Sequence, residues 1–327
     1  MANIAEPKKS FAFSDRQKDI IQKFAALGSL VALVAVFSAT SSAFFTVNNG
    51  MTIALQVTSI ALLGIGATCV IITGGIDLSV GSVLALAGVV AALAVKELGM
   101  PVPVGMFLGI LTGSLCGFIN GLLVTRFKLP PFIATLGMML IARGVALQIT
   151  GARAVSGLGE SFGELGNGAL FRIVNIGDDG FPNVVFPGIP YPVILMVVIA
   201  LAVSFMLNRS ILGRHIYAVG SNADAARLSG VNVARVTNFT YILSGTLAGL
   251  TGCVLMSRLV TAQPNEGVMY ELDAIASAVI GGTSLIGGVG TISGTAIGAF
   301  VIGLLRSEER RVGKSVDSGG RRLIKKK

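Results

Sequence analysis

The chain has 327 residues, of which 53% are hydrophobic and only 13% are charged. The charged share is about half that of an ordinary soluble domain, which excludes a water-soluble enzyme, a disordered chain and a disulfide-bonded scaffold. The formal net charge is +9, and much of it lies in residues 306–327, which hold nine Lys or Arg and three acidic residues. The composition that remains is that of a multi-pass membrane protein.

Apolar segments in chain order predict an all-α bundle of membrane-spanning helices. A span needs about 20 mostly apolar residues. A basic N-terminal segment, 1–23, precedes a predicted membrane domain, 24–305. Two of the candidate spans are short enough to be re-entrant or broken helices. The nine candidates are 24–45, 53–73, 78–95, 103–125, 132–150, 191–208, 238–257, 273–286 and 291–305.

The distribution of Lys and Arg predicts the orientation. If the N-terminus is cytoplasmic and the spans alternate, eleven basic residues fall on the inside and four on the outside. Cytoplasmic loops carry the excess of positive charge in membrane proteins. The largest external loop is then 151–190, and the largest internal loop is 209–237. The internal loop contains a helix-like stretch that Ser221 or Asn222 could cap and Gly230 could end.

A weak internal repeat pairs two glycine-rich stretches 207 residues apart. Gly74 and Gly75 correspond to Gly281 and Gly282, and each stretch follows an apolar run. Paired glycine-interrupted segments are typical of transporter halves related by an inverted repeat around a pathway. We therefore predict a helix break or pathway segment at Gly74, Gly75, Asp77, Ser79, Gly281 and Gly282.

Asp77 has two interpretations. An ionisable residue at membrane depth is costly and often lines a pathway. Alternatively, its carboxylate accepts backbone N–H groups at the start of the third span, with Ser79 nearby. The adjacent glycines suggest a turn and favour the capping interpretation.

The sequence contains no reactive constellation, so we predict no catalytic residues. There is one histidine, His215, and the three cysteines lie in apolar runs, which argues against a metal site. No phosphate-binding loop of the GxxxxGK[ST] kind is present, so ATP would have to be bound by another subunit. Basic tracts interleaved with aromatic residues are also absent before residue 306, which argues against nucleic-acid binding.

The C-terminal segment changes character abruptly after Leu305. The string RSEERRVGK and the residues after it resemble the translation of a sequencing adapter. We expect 306–327 to be a non-native tail and the natural protein to continue into further membrane helix. The alternative is a basic cytoplasmic tail near lipid headgroups.

Four long motifs, in this order, resemble the permease subunits of monosaccharide ABC importers of the ribose, xylose and galactose type. They are ITGGIDLSVGSVLALAGVVAA (72–92), LPPFIATLGMM (129–139), GRHIYAVGSNADAARLSGVNV (213–233) and AVIGGTSLIGGVGTISGTAIGA (278–299). The resemblance covers about residues 20–305 and is specific for the family, but it leaves the sugar open.

The resemblance implies a multi-pass protein of the bacterial inner membrane with three kinds of protein partner. These are a cytoplasmic ATPase that binds ATP and Mg²⁺, a periplasmic or lipid-anchored sugar-binding protein, and a second permease chain, by default an identical copy. Residues 213–233 are similar to the segment that couples such permeases to their ATPase. Its candidate residues here are Gly220, Asp224, Ala225, Ala226, Arg227 and Gly230.

An ion-coupled secondary transporter of a small polar solute is the alternative from another class. It would need intramembrane acids that bind H⁺ or Na⁺, and Asp77 is the main candidate. That alternative would leave the internal loop without a role. Dependence of uptake on a separate ATPase, rather than on the membrane potential, distinguishes the two.

Overall fold

The computed structural model describes residues 15–40, 44–176 and 182–306, and these are mostly helical. The predictions for 1–14 and 307–327 fall outside the described residues. The helices are α1 (Asp15–Thr40), α2 (Val47–Ile72), α3 (Val80–Lys96), α4 (Val102–Thr125), α5 (Pro131–Thr150), α6 (Glu160–Asn167), α7 (Tyr191–Arg209), α8 (Ile211–Ser221), α9 (Ala223–Leu228), α10 (Val233–Leu259), α11 (Tyr270–Ile280) and α12 (Ile292–Arg306).

Five of these helices are long and apolar enough to cross a membrane, which supports a multi-pass helical membrane protein. They are α2, α4, α5, α7 and α10. Shorter apolar helices cover Leu27–Ala39, Val80–Lys96 and Ile292–Arg306. The predicted count of nine spans is therefore not confirmed. The predicted span 273–286 is too long, because α11 ends at Ile280 and a turn follows.

Helix α10 forms the centre of the bundle and packs against α2, α3 and α4. Glycines allow α4 and α10 to approach closely: a side chain on Gly113 or Gly117 would collide with the backbone of Gly245 or Tyr241. Small residues at such contacts are typical of membrane helices, where close packing replaces the hydrophobic effect as the driving force.

The segment 151–190, which was predicted to be external, departs from the all-α prediction. It contains α6 and four short strands, β1 (Ala169–Leu170), β2 (Ile173–Ile176), β3 (Pro182–Phe186) and β4 (Ile189–Pro190). Strand β1 pairs with β4 and strand β2 pairs with β3, and both pairs are antiparallel. The strands therefore form two separate two-stranded sheets within this segment. Helix α6 is joined to α10 because the hydroxyl of Ser257 accepts from Gly166 N–H and donates to the Phe162 carbonyl.

Helices α2 and α11 end in the same way. After α2, Gly74 N–H donates to Ile71 O and Gly75 N–H donates to Val70 O. After α11, Gly282 N–H donates to Val279 O and Thr283 N–H donates to Ala278 O. Both are Schellman motifs that need a left-handed residue, and Gly74 (φ 79°) and Gly282 (φ 93°) supply it. The two ends thus correspond at an offset of 208 residues, one more than the sequence repeat suggests.

The helix-like stretch predicted in the internal loop is α9, which Asn222 rather than Ser221 caps and Gly230 ends; a further helix, α8, precedes it and was not predicted. Helix α8 ends at Ser221, and Asn222 separates it from α9. The Asn222 side chain accepts the N–H groups of Asp224 and Ala225 and so caps α9. Asn222 has an extended backbone (φ −160°, ψ 104°), which interrupts the helix between α8 and α9.

Candidate functional site

Helix α9 presents a solvent-exposed face on the end of the bundle that the charge distribution assigns to the cytoplasm. Asp224, Ala225 and Arg227 are exposed, and Leu228 is 91% exposed. Ala226 points the other way and is buried in a cluster with Ile216 of α8. Ala226 therefore packs α9 against the bundle, and the opposite side of α9 is a solvent-exposed surface of apolar and charged residues.

The charges on this face partly neutralise one another. Arg227 Nη1 lies 3.2 Å from Asp224 Oδ1, and both side chains are largely exposed. An exposed i,i+3 pair of this kind contributes only about 0.3–0.5 kcal/mol to stability. The pair therefore does little to hold α9 in place, and both groups are available to a partner.

Gly230 ends α9 in a Schellman motif like those that end α2 and α11. Its N–H donates to Arg227 O, and Val231 N–H donates to Ala226 O. The backbone at Gly230 is left-handed (φ 85°), and a Cβ there would meet no atom within 4 Å. Glycine is therefore favoured at this position by backbone conformation and not by lack of space.

Helix α8 connects α9 to the two helix breaks. A side chain on Gly220 would collide with the carbonyl of Ile72, at the end of α2, and would crowd Gly288 N. Gly288 N–H in turn donates to Ile72 O at 2.9 Å. The end of α8, the end of α2 and the turn after α11 therefore meet at one point.

A side-chain hydrogen bond adds to this contact. The Tyr217 hydroxyl on α8 donates to the Gly290 carbonyl at 2.8 Å. Burial raises the pKa of Tyr217 to about 12, so its hydroxyl stays protonated and able to donate at physiological pH. Ile216, on the same helix, is fully buried. Helix α8 is thus fixed to the bundle by both apolar and polar contacts.

Asp77 is buried in the segment between α2 and α3 at the centre of a polar cluster. Its Oδ1 accepts the N–H of Ser79 at 3.0 Å and the Ser79 hydroxyl at 2.6 Å. Its Oδ2 accepts the Ser244 hydroxyl of α10 at 2.9 Å, and Asn120 of α4 donates to Ser79 Oγ. These hydrogen bonds connect the segment after α2 to α4 and α10. The Asp77 carboxylate accepts only from hydroxyl and backbone N–H groups in this cluster.

The remaining predicted glycines make close contacts between elements. A side chain on Gly75 would reach the hydroxyl of Tyr241, and one on Gly281 would collide with Gly294 of α12. Gly74 lies near the carbonyl of Ile286, in the turn after α11. The structure therefore brings Gly74, Gly220 and the 281–290 turn together, whereas Asp224, Ala225, Arg227 and Gly230 form the separate exposed face.

Several residues of the site were not identified from the sequence. Ser244, Asn120 and Tyr241 are polar residues within predicted membrane spans, which was a signal that they need buried partners. Leu228 carried a weaker signal, since it is an apolar residue in a segment predicted to be cytoplasmic. Nothing local in the sequence indicates that Tyr217 donates to Gly290.

These elements define a multi-pass helical membrane protein in which an exposed helix is joined to two helix breaks. The family model described as the permease component of a branched-chain amino acid transport system matches residues 49–311. The chain belongs to this family of transport-system permeases. The match extends into the predicted non-native tail, which begins at Arg306. Arg306 is the last residue of α12, and its Nη2 lies 2.6 Å from Asp273 Oδ2.

Curated relatives match most of the chain. The ribose import permease protein RbsC of Escherichia coli strain K12 is 43% identical over 88% of this chain and 85% of its own length. RbsC of Bacillus subtilis strain 168 is 40% identical over 90% and 87%. The xylose transport system permease protein XylH of E. coli K12 is 34% identical over 90% and 87%. These relatives confirm the predicted resemblance to monosaccharide importer permeases. A search of the solved structures found no match.

Proposed function

We propose that this chain is the membrane-spanning subunit of an ABC importer that passes a monosaccharide into the cytoplasm across a bacterial inner membrane. The observation that carries the proposal is the 43% identity to a ribose import permease over 88% of the chain. Ribose is the first substrate to assay and xylose the second, because these are the sugars for which the relatives are named.

The proposed partners follow from this class of transporter. A cytoplasmic ATPase binds ATP and Mg²⁺ and docks on α9, a sugar-binding protein delivers substrate on the other side, and a second copy of the chain completes the pore. The exposure of Leu228 supports the docking surface, because an apolar side chain that is 91% exposed outside the membrane has surface to bury against a partner.

The mechanism we propose is rigid-body transmission. Movement of the ATPase displaces α9, and the attachment of α9 to α8 carries the movement to the end of α2 and to the turn after α11. Ala226 supports the first link, and Gly220 with Tyr217 supports the second. Packed elements shift as bodies because interiors deform little, so a displacement at α9 reaches both breaks.

The experiment is co-purification of the chain with a candidate ATPase subunit, followed by ribose uptake in proteoliposomes. The substitution Leu228→Asp should abolish both ATPase capture and uptake while leaving the Tm unchanged, because the side chain is exposed. Leu98→Asp is the matched control: Leu98 is also exposed but lies at the opposite end of the bundle, after α3. It should retain capture and uptake.

Two results would contradict the proposal. Uptake that persists without any ATPase and collapses with an ionophore would support the ion-coupled alternative. Full ATPase capture by Leu228→Asp would show that the docking surface lies elsewhere, even if the chain is an importer subunit.

A further inference from the structure

A cavity of about 120 Å³ lies between α2, α10, α11 and α12. The Asn167 side chain of α6 donates to the carbonyl of Arg258, which lines the cavity, so the cavity lies near the end of the bundle that the charge distribution assigns to the outside. A cavity of about 150 Å³ in another protein holds one benzene ring, so this one has room for a single small ring and not for two. Arg306 also lines the cavity, but its guanidinium is already paired with Asp273 at 2.6 Å.

Ser59 provides the first indication of a ligand. It is only 6% exposed and lines the cavity, yet its hydroxyl forms no hydrogen bond within the described part of the chain. The neighbouring Thr58 hydroxyl, by contrast, donates to the Ala54 carbonyl at 2.9 Å. The equivalent carbonyl for Ser59 is that of Leu55, which accepts from Arg258 Nη1 at 3.5 Å instead. The Ser59 hydroxyl keeps accessible surface, so it is open to a group inside the cavity.

Two further polar side chains line the cavity without a partner. The Gln56 amide and the Glu266 carboxylate form no hydrogen bond or ion pair with any residue that the structure describes. The backbone of Glu266 is nevertheless fixed, because its carbonyl accepts from Arg143 Nη1 at 2.7 Å. Gln56 and Ser59 lie about 14 and 18 Å along α2 from its first residue, at about 1.5 Å per residue. Unpaired polar groups at that depth in a membrane protein are costly and indicate an aqueous path or a ligand.

We propose that this cavity binds one monosaccharide on its way through the permease, an inference that rests on the proposed import function. A sugar hydroxyl both donates and accepts, so a sugar can pair with all three unpartnered groups: the Glu266 carboxylate accepts, and Gln56 and Ser59 do both. The Arg258 guanidinium adds donors, and the ring of Tyr270 adds an aromatic wall. Because the lining carries both signs of charge, it favours an uncharged polyol over an ion.

The test measures ribose and xylose binding to the purified full-length chain in nanodiscs, from the rise in Tm with sugar concentration. Maltose, a disaccharide, is the comparison that should not fit. The variants are Gln56→Leu, Ser59→Ala and Glu266→Gln, and each removes a group without a protein partner, so the Tm without sugar should not change. Thr52→Ala is the matched control, because Thr52 lies on the same helix but is exposed and does not line the cavity. The same variants are assayed for sugar uptake in the complex with the ATPase and the sugar-binding protein.

Binding of ribose or xylose but not of maltose would support the site if it weakens about fivefold in Gln56→Leu and Ser59→Ala, about tenfold in Glu266→Gln and not at all in Thr52→Ala. Equal sugar binding by the three cavity variants and the unaltered chain would overturn it. If the unaltered chain binds neither sugar although the complex imports one of them, the cavity is not a sugar site and the import function stands. If the chain binds no sugar and the complex imports none, both proposals fail.

Discussion

The backbone N–H of Gly288 donates to the carbonyl oxygen of Ile72 at 2.9 Å, which joins two helix breaks that are more than 200 residues apart in the sequence. Ile72 is the last residue of α2, and its carbonyl has no N–H donor within the helix. The N–H of Gly288, in the turn after α11, supplies the missing hydrogen bond. Helix α8 packs on the same point through Gly220. A displacement of α8 therefore acts on both breaks together.

The first prediction concerns Gly220. The substitution Gly220→Ala places a methyl group against the Ile72 carbonyl, where backbone atoms leave no space. Forced overpacking costs about 1–3 kcal/mol, so we expect a lower Tm and loss of ribose uptake in proteoliposomes. Gly137→Ala in α5 is the matched control, because a Cβ there meets nothing within 4 Å. Equal Tm and uptake for the two variants would show that α8 does not depend on this contact.

The sequence predicted the helices well because long apolar segments are a strong signal. The predicted segments 103–125 and 132–150 differ from α4 and α5 by one residue at their starts. The segment predicted for α11 ends six residues too late, because the stretch after Ile280 is still largely apolar and only its glycines indicate a turn. Where these elements meet could not be predicted, since the contact of Gly288 with Ile72 depends on tertiary packing.

The second prediction separates conformation from size at Gly230. Its left-handed backbone is strained for any residue with a Cβ, most of all for a β-branched one, and is tolerated best by asparagine. Gly230→Val should therefore unfold the end of α9 and reduce ATPase capture more than tenfold, whereas Gly230→Asn should retain most of it. Capture is measured by co-purification at equal expression. If both variants capture the ATPase equally, or Asn is the worse of the two, the left-handed requirement is wrong.

The third prediction tests what Asp77 contributes. In Asp77→Asn, the amide oxygen still accepts from Ser79, and the NH2 group that replaces Oδ2 can donate to the Ser244 hydroxyl, so the charge is lost while both neighbours keep a partner. In Asp77→Ala, the Ser79 and Ser244 donors are left unpaired in a buried site, at about 1–3 kcal/mol each. We expect Asn to retain uptake and Ala to lower the Tm by several degrees. Loss of uptake in Asp77→Asn with an unchanged Tm would instead indicate that the carboxylate charge serves transport, as the ion-coupled alternative requires.

The predicted site residues differed in how far the sequence could describe them. The cap of α9 at Asn222 and its end at Gly230 are local features, and the residue types predict both. The surroundings of Asp77 include Ser244 of α10, which lies 167 residues further along the chain, and Asn120 of α4, which lies 41 residues after Ser79, so the sequence could offer only alternatives. Their roles in transport stay predictions that the variants above address.

The last prediction distinguishes docking from transmission through Tyr217. This side chain lies on α8, not on the exposed face of α9, and its hydroxyl donates to Gly290 in the turn after α11. Tyr217→Phe removes that single hydrogen bond, at a cost of about 1 kcal/mol, and keeps the ring. We expect normal ATPase capture but reduced uptake per ATP hydrolysed, because α8 is less firmly attached to the break. Uptake and ATP hydrolysis are measured in the same proteoliposomes.

Since the pKa of Tyr217 is raised to about 12, its hydroxyl stays protonated between pH 6 and pH 9. This group should therefore not change the ratio of uptake to ATP hydrolysis of the unaltered protein over that range. An unchanged uptake-to-hydrolysis ratio in Tyr217→Phe would mean that the Gly220 contact alone transmits the movement.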